Sequence, residues 1–176
     1  MDINLFYNYY KDDNRQHEID ECLRKNMEVF SDVIIVEGRP TFSELFSLTK
    51  NFPNSINCFC NSDVYFESTS LLKKIGANDC FAITRNDLRN NPRISHQSQD
   101  AWCFYGVVSV KMPFCQGMWG VDNRLVYELR KSGYNVINPC HQINIIHLHK
   151  VDNRNQQRTL SNTIEPPYDF VKPSNI

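Results

Sequence analysis

Residues 32–38 read Asp-Val-Ile-Ile-Val-Glu-Gly, and the four consecutive β-branched residues inside this stretch decide the fold class. Such a run is typical of a parallel strand that is covered on both faces. It stops at Glu37-Gly38, and Thr41-Phe42-Ser43-Glu44 then has the capping-box pattern that opens a helix. The stretch therefore predicts a buried parallel strand followed closely by a helix.

The alternation of strand and helix continues on both sides of this stretch. Before it, an apolar segment at 3–7 precedes a helical segment at 17–27, in which apolar residues recur every four positions. After it, we expect the following elements: a helix from 42, a strand at 55–60, a short helix at 68–75 and a strand at 80–84. This order favours a parallel sheet with right-handed crossovers and helices on both faces.

The second half of the chain is less regular. Its predicted elements are a loop at 85–100, a strand at 102–110, a helix from Asp122 that Gly133 ends, strands at 134–137 and 143–148, and an irregular tail. We therefore expect one α/β domain over 1–150, with a Rossmann-like, mostly parallel sheet, and a short C-terminal tail over 151–176.

Composition narrows the function classes. The 176 residues carry 19 Lys and Arg against 20 Asp and Glu, a net charge of −1, which argues against binding nucleic acid by charge alone. Apolar residues at 41% and aromatic residues at 12% favour a globular core over a disordered or coiled-coil chain. No apolar run reaches the roughly 18 residues of a membrane helix, and residues 1–4 lack a signal-peptide pattern. We expect a cytoplasmic protein with no membrane partner.

The seven cysteines raise the question of a metal or disulfide framework. Only Cys58 and Cys60 are close together, and a gap of one residue is not the usual zinc-binding spacing. The number is odd and the expected location is reducing, so we predict reduced, mostly buried thiols that pack as small apolar side chains.

Polar residues follow each of the first three predicted strands. They are Asn8, Glu37 and the triplet Asn61-Ser62-Asp63. Ligands of parallel α/β sheets bind beyond the carboxyl ends of the strands, so these positions are candidates for a binding site. No glycine-rich phosphate loop follows the first strand, which argues against NAD and P-loop ligands.

Asp63 and two histidines could form a metal site. Asp63 ends an otherwise apolar strand, where an Asp serves either as a turn or helix cap or as a ligand of a Mg²⁺-type cation. His147 and His149 alternate on the last predicted strand, so they share one face. The alternative is a pair of histidines on a half-exposed strand.

Two further acids have both a structural and a catalytic interpretation. Asp122 stands at a helix start behind Trp119 and Gly120, where it either caps the helix or acts as an ionised general base. Asp100 lies near Trp102, which belongs either to the core or to a surface that stacks on a sugar or base.

The order of several short segments resembles the small glycosyltransferases of the A-type fold, nucleotide-sugar-dependent enzymes of bacteria and large DNA viruses. The resemblance spans about residues 3–155. Its segments are Ile-Asn-Leu-Phe at 3–6, the helix at 18–26, Glu-Gly-Arg-Pro-Thr-Phe at 37–42, Asn-Ser-Asp at 61–63, Gln-Asp-Ala-Trp at 99–102, Gly-Val-Asp-Asn at 120–123 and His-Leu-His at 147–149.

The resemblance implies a metal-dependent donor site. In that family a D-x-D triplet holds a divalent cation and the diphosphate of the donor; here Asn61 replaces the first acid and Asp63 remains. His149, or second His147, would complete the shell around Mn²⁺ or Mg²⁺. Residues assigned to the nucleotide sugar on this basis are Asn8, Arg15, Glu37, Asn61, Asp63 and Arg85, where the two arginines have solvated surface positions as the alternative.

The resemblance also implies a base and an acceptor side. Asp122 matches the catalytic Asp of inverting members, with Asp100 as the rival base, and Trp102 and Trp119 would contact the acceptor. The acceptor is a glycan, a protein or a hydroxymethylated DNA base. Two alternatives stay open: a non-catalytic nucleotide-binding module of the same fold, and a metal-dependent nuclease or nucleotide hydrolase that uses Asp63 and the histidines.

Overall fold

A computed structural model describes residues 1–87, 98–148 and 159–176. Its strands are β1 (Ile3–Tyr9), β2 (Asp32–Glu37), β3 (Ile56–Cys60), β4 (Val64–Phe66), β5 (Asp79–Ile83), β6 (Asn86–Asp87), β7 (Ala101–Tyr105), β8 (Asn135–Ile137) and β9 (Ile145–His147). Its α-helices are α1 (Gln16–Val29), α2 (Phe42–Leu48) and α3 (Val121–Lys131), with 3₁₀ turns at Thr49–Asn51, Ser70–Lys74 and Leu160–Asn162.

A six-stranded sheet with the order β2-β1-β3-β7-β5-β8 forms the centre of the fold. The pairs β1–β2, β1–β3 and β5–β8 are parallel, whereas β7 runs antiparallel to both of its neighbours. The predicted α/β class with a mostly parallel sheet is therefore confirmed.

Both faces of this sheet are covered by helices, as predicted. Side chains alternate along β1, so that Leu5 and Tyr7 join one apolar cluster and Phe6 joins the other. Helix α1 packs its buried residues into the first cluster, while α2 and α3 pack theirs into the second. The core therefore consists of two layers separated by the sheet.

The β-branched strand β2 lies at the edge of the sheet, and the prediction that it is fully covered was wrong. Ile34 and Val36 pack partly against the second cluster, but Ile35 is 44% exposed. Among the described strands, β2 pairs with β1 alone, so it lies at the edge of the sheet. A continuous β-branched run predicts a strand, but it does not distinguish a central position from an edge position.

The ends of the helices follow the predicted signals. Thr41 and Glu44 form the capping box at the start of α2: the Glu44 amide donates to Thr41 Oγ1 at 3.2 Å, and the Thr41 amide donates to Glu44 Oε2 at 2.7 Å. At the end of α3, Gly133 adopts φ +90° and the Tyr134 amide donates to the Leu129 carbonyl at 3.0 Å.

A second, three-stranded sheet with the order β4-β9-β6 was not predicted. Its strands have two or three residues each, too few for a periodic pattern. It packs against α1 because Val64, Phe66 and Ile145 join the first apolar cluster. The helix expected at 68–75 is a 3₁₀ turn, and the strand expected at 102–110 ends at Tyr105.

Residues 159–176 pack against α3 and the loop before it. Ile164 and Val171 are buried in the second cluster. The Trp119 amide donates to the Asn162 carbonyl, and the Ile164 amide donates to the Trp119 carbonyl, both at 2.8 Å. None of the described helices has the length and apolar character that crossing a membrane requires.

All seven cysteines are free, and six of them are buried, which confirms the prediction for them. Burial raises the pKa of the Cys58, Cys60 and Cys80 thiols well above their usual value, and it raises the pKa of Cys22 to about 12. These thiols therefore stay protonated and inert at neutral pH.

We expect a thiol-alkylating reagent to modify Cys115 first in the folded protein, because Cys115 is the one cysteine that is not buried. Mass spectrometry should show one added group under native conditions and seven after denaturation without a reductant. Cys115→Ser should abolish the native reaction. Two thiols that stay unreactive after denaturation would contradict the absence of disulfides.

Candidate functional site

The candidate site lies at the carboxyl edge of the six-stranded sheet. From β1 the chain moves to β2 on one side and later to β3 on the other, so the ends of β1 and β3 flank the topological switch point. Open α/β sheets bind ligands in the crevice at such a point. Ala101 pairs with both Cys60 and Ile83, so the residues before β7 and after β5 reach the same edge.

One group of charged side chains, here called the Asp63 cluster, consists of Arg15, Glu18, Asp63 and His147. Arg15 Nη2 and His147 Nε2 approach Asp63 Oδ2 at 2.9 and 3.0 Å. Arg15 Nε also donates to Glu18 Oε2 at 2.8 Å, and its Nη2 donates to the Leu148 carbonyl at 3.1 Å. The cluster thus joins α1, the end of β3 and the end of β9.

The charges of this cluster keep Asp63 ionised. Burial acts to raise the pKa of Asp63, but the hydrogen bond and charge of His147, together with Arg15, outweigh it and lower the pKa. Burial likewise acts to lower the pKa of Arg15, and Glu18 and Asp63 reverse that effect. The result is a carboxylate whose Oδ2 is occupied and whose Oδ1 accepts no hydrogen bond from the described residues.

A second group, here called the Asp100 cluster, consists of Asn61, Arg85, Asp100 and Asp122. Asp100 Oδ1 accepts hydrogen bonds from Asn61 Nδ2 at 2.9 Å and from Arg85 Nη1 at 2.6 Å. The residue is only 2% exposed. Two candidate sugar-nucleotide residues, Asn61 and Arg85, therefore meet on one buried carboxylate.

Asp122 lies beside this carboxylate in the first turn of α3. Gly120 occupies the cap position of the helix and no side chain caps it, so the capping interpretation of Asp122 does not hold. Burial raises the pKa of Asp122 well above its usual value, and the charge of Asp100 raises it further. The Gln99 amide and Arg85 oppose this rise. Asp122 and Asp100 are thus brought to the same place.

Gly120 is required where α3 begins. It adopts φ +80°, and a Cβ atom there would lie 2.7 Å from Tyr168 Oη and 3.2 Å from the Ile164 carbonyl oxygen. The C-terminal segment therefore packs directly against the residue that precedes the first turn of α3. Trp119 is 45% exposed, although both its backbone amide and its backbone carbonyl are hydrogen-bonded.

Two of the predicted site residues have structural roles, and a third lies outside the described residues. Trp102 is 1% exposed and packs edge-to-face against Phe42, so its ring belongs to the core and not to an acceptor surface. Asn8 is buried, and in the side-chain orientation that satisfies its neighbours its amide nitrogen donates to the carbonyls of Val36 and Gly38 at 3.2 and 2.7 Å, which holds the end of β2. His149 lies outside the described residues.

Two residues of the site escaped the sequence-based prediction. Glu18 is buried in α1 and forms an ion pair with Arg15. The sequence pattern that could have predicted this pair is an acid three residues after an arginine on a helix. Tyr10 follows β1 and is half-buried; burial and Asp63 raise its pKa, whereas Arg15 and Arg39 lower it. Tyr10 therefore lies within range of the charges at the switch point, whereas Glu37 is exposed at the end of β2.

Comparison with protein-family models, with curated proteins and with solved structures finds no match for this chain. Its function has to be inferred from the residues and their geometry.

We expect Gly120→Ala to destabilise the protein by about 1–3 kcal/mol, because both the left-handed backbone and the contact with Tyr168 oppose a Cβ atom. Gly133→Ala is the matched control: it has φ +90° but no atom within 4 Å of the added Cβ. Urea unfolding should show the larger loss for Gly120→Ala. Equal losses would mean that the C-terminal segment does not press on Gly120.

Proposed function

We propose that this protein is a glycosyltransferase of the A-type fold, which transfers a sugar from a nucleotide-sugar donor to an acceptor hydroxyl with inversion. The observation that carries the proposal is the pairing of Arg15 with Asp63 and of Arg85 with Asp100 at the switch point, with Asp122 beside the second pair. The two positively charged guanidinium groups suit the binding of a diphosphate. The carboxylate of Asp122 suits the abstraction of a proton.

The two arginines support the binding of a diphosphate. Each already makes a charge-assisted hydrogen bond to a carboxylate, at 2.9 Å for Arg15 and 2.6 Å for Arg85. A guanidinium binds phosphate with the same fork geometry that it uses for carboxylate. An incoming diphosphate can therefore exchange with the carboxylates as the partner of these cations.

The Asp63 cluster supports a role for a divalent cation that comes with the substrate. Within the described ranges, no three His, Cys, Asp or Glu side chains are grouped to hold a metal. A carboxylate and an imidazole fit a cation such as Mg²⁺ or Mn²⁺, which takes many of its ligands from substrate phosphates. Asp63 and His147 would hold it, and it would supply positive charge to the leaving diphosphate. His149 stays a predicted third ligand.

The surroundings of Asp63 explain why such a cation should bind weakly alone. Arg15 and His147 occupy Oδ2 of Asp63, and the positive charge of Arg15 repels a second cation nearby. Once a diphosphate binds Arg15, that charge is neutralised and Asp63 becomes available. Nucleotide and cation should therefore bind cooperatively.

Tyr10 and Glu37 are the best candidates for contact with the nucleoside. Tyr10 lies within range of the charges of Asp63 and Arg15, so a base stacked on its ring would leave the diphosphate near Arg15. Glu37 is exposed at the end of the neighbouring strand β2 and can accept hydrogen bonds from ribose hydroxyls.

Asp122 is the proposed base. Its raised pKa, which burial and Asp100 cause, makes it a stronger proton acceptor than an ordinary carboxylate. In its ionised form it would take the proton of the acceptor hydroxyl as the oxygen attacks the anomeric carbon, while the bond from that carbon to the diphosphate breaks. A single displacement of this kind inverts the configuration.

The surface near Trp119 is the proposed acceptor side. Trp119 is 45% exposed, and a cavity of about 450 Å³ lies next to it, lined by Arg39, Cys115, Gly117, Met118, Ser161 and Asn162. An aromatic ring beside a cavity with both apolar and polar lining residues suits a glycan. A protein side chain or a hydroxymethylated DNA base are the other acceptors we propose to test.

One observation favours a second candidate, a non-catalytic nucleotide-binding module of the same fold. Asn61 replaces an acid and donates to Asp100 at 2.9 Å, while Asp63 is already neutralised by Arg15. Turnover of a sugar nucleotide separates the two candidates, because a module binds the nucleotide without hydrolysing it or transferring its sugar.

The cation role can be tested by calorimetry with Mn²⁺ and UDP, GDP or ADP. We expect weak binding of Mn²⁺ alone, and nucleotide binding that Mn²⁺ strengthens in the wild type but not in Asp63→Ala. Asp32→Ala is the control, since Asp32 is exposed at the opposite end of its strand. An Asp63→Ala variant that responds to Mn²⁺ like the wild type would refute the cation role.

We expect Asp122→Asn to lower kcat by about 10²- to 10⁴-fold while donor binding is retained, because only the proton acceptor is lost. The anomeric configuration of the product, measured by NMR, should be inverted in the wild type. A fully active Asp122→Asn together with an inactive Asp100→Asn would assign the base to Asp100. Retained configuration would exclude the base role for both residues.

The raised pKa of Asp122 also predicts a pH effect on stability. The folded state binds the Asp122 proton more tightly than the unfolded state, so stability is highest below the unfolded pKa and is lost as pH rises through the folded one. Asp122→Asn removes this loss. We therefore expect the variant to be more stable than wild type at pH 7, and the gain to vanish near pH 3.

A further inference from the structure

Asp100 has one carboxylate oxygen that is used and one that is not. Oδ1 accepts hydrogen bonds from Asn61 and Arg85, whereas Oδ2 is fully buried and accepts none from the described residues. Leaving a buried acceptor without a partner typically costs about 1–3 kcal/mol, and more when the group is charged. Buried polar atoms are normally hydrogen-bonded, so an unused oxygen of this kind is a candidate contact for a ligand.

The backbone bonds of Asp100 and the two hydrogen bonds to its Oδ1 hold the side chain in place. Its amide donates to the Ile83 carbonyl at 2.9 Å, and its carbonyl accepts from the Asn61 amide at 3.0 Å. The residue directly precedes β7, so both strand neighbours fix it. Oδ2 is therefore held in one position before any ligand arrives.

The position of Asp100 limits the chemistry of the missing partner. Oδ2 is an anionic acceptor, so it repels phosphate and requires a hydrogen-bond donor. The adjacent Asp122 is the proposed base, which must reach the acceptor oxygen as that oxygen attacks the anomeric carbon. In the proposed reaction the transferred sugar lies next to this base, and its hydroxyls are neutral donors.

We propose that Asp100 Oδ2 accepts a hydrogen bond from a hydroxyl of the donor sugar, so that Asp100 helps to determine which sugar the enzyme transfers. This inference rests on the proposed function. Asn61 then acts as the positioning residue that holds Oδ1 and so aims Oδ2. A hydrogen bond to a charged group contributes about 1.5–3 kcal/mol, or roughly 10- to 150-fold in affinity.

Asp100→Asn is the sharpest variant, because it keeps the shape and an oxygen for Asn61 and Arg85 but replaces Oδ2 with an amide donor. Calorimetry should use UDP, GDP and ADP with the sugar nucleotides UDP-glucose, UDP-galactose, GDP-mannose and ADP-glucose. We expect the variant to bind the nucleoside diphosphate like the wild type and the preferred sugar nucleotide about 10- to 100-fold more weakly. Asp32→Asn, an exposed change at the opposite edge, should affect neither.

Monodeoxy analogues of the preferred sugar nucleotide test the same bond without any mutation. In the wild type, removal of one particular hydroxyl should cost about as much affinity as Asp100→Asn does, and the two losses should not add. If Asp100→Asn fails to fold, which thermal unfolding will show, the wild type with the analogues decides. Equal binding of all analogues would then overturn the inference.

The failure of this inference differs from the failure of the proposed function. If the sugar nucleotide binds Asp100→Asn as tightly as it binds the wild type, Oδ2 makes no hydrogen bond to the sugar. The inference is then wrong, while the proposed function stands. If neither the nucleoside diphosphates nor the sugar nucleotides bind the wild type, the proposed function is wrong, and this inference fails with it.

Discussion

The ion pair between Arg15 and Asp63 is the contact on which the organisation of the site depends. It links α1 to the end of β3, and through His147 and the Leu148 carbonyl it reaches the small sheet as well. Glu18, which is buried, has Arg15 as its ion-pair partner, so the guanidinium balances two acids at once. The interactions of Asp63 with Arg15 and His147 therefore hold these elements together before any ligand binds. A ligand that competes for Arg15 has to supply equivalent negative charge, and this requirement favours anionic ligands over neutral molecules.

The two clusters shift the pKa of their carboxylates in opposite directions. Positive partners lower the pKa of Asp63, whereas burial and a neighbouring acid raise the pKa of Asp122. Environments that separate the pKa values of nearby acids commonly mark a division of chemical roles. Here the ionised acid lies with the proposed phosphate and cation ligands, and the more basic acid lies at the start of α3, next to the exposed Trp119. The proposed reaction needs such a division, because leaving-group stabilisation and proton abstraction occur on opposite sides of the anomeric carbon.

Local signals in the sequence were sufficient for the main elements and for part of the site. The capping box at Thr41, the glycine at 133 and the alternation along β1 all lie within a few residues of the structure they specify. The edge position of Ile35 and the burial of Trp102 could not be predicted, because each depends on which strands become neighbours in the sheet. The small sheet has strands too short for any pattern, and the pairing of Arg15 with Asp63 joins residues 48 positions apart. The polar residues at the ends of β1, β2 and β3 lie at one edge because the parallel topology gathers those ends there.

The packing of Tyr168 against Gly120 has a consequence for how sequence changes in this protein should be interpreted. Residues 159–176 brace the segment that leads into the helix of Asp122. Variation in this region would therefore affect the proposed reaction indirectly, through the angle at which α3 begins. A substitution at Ile164 or Tyr168 could mimic the loss of a catalytic group in an activity screen, and only a measurement of folding would separate the two causes.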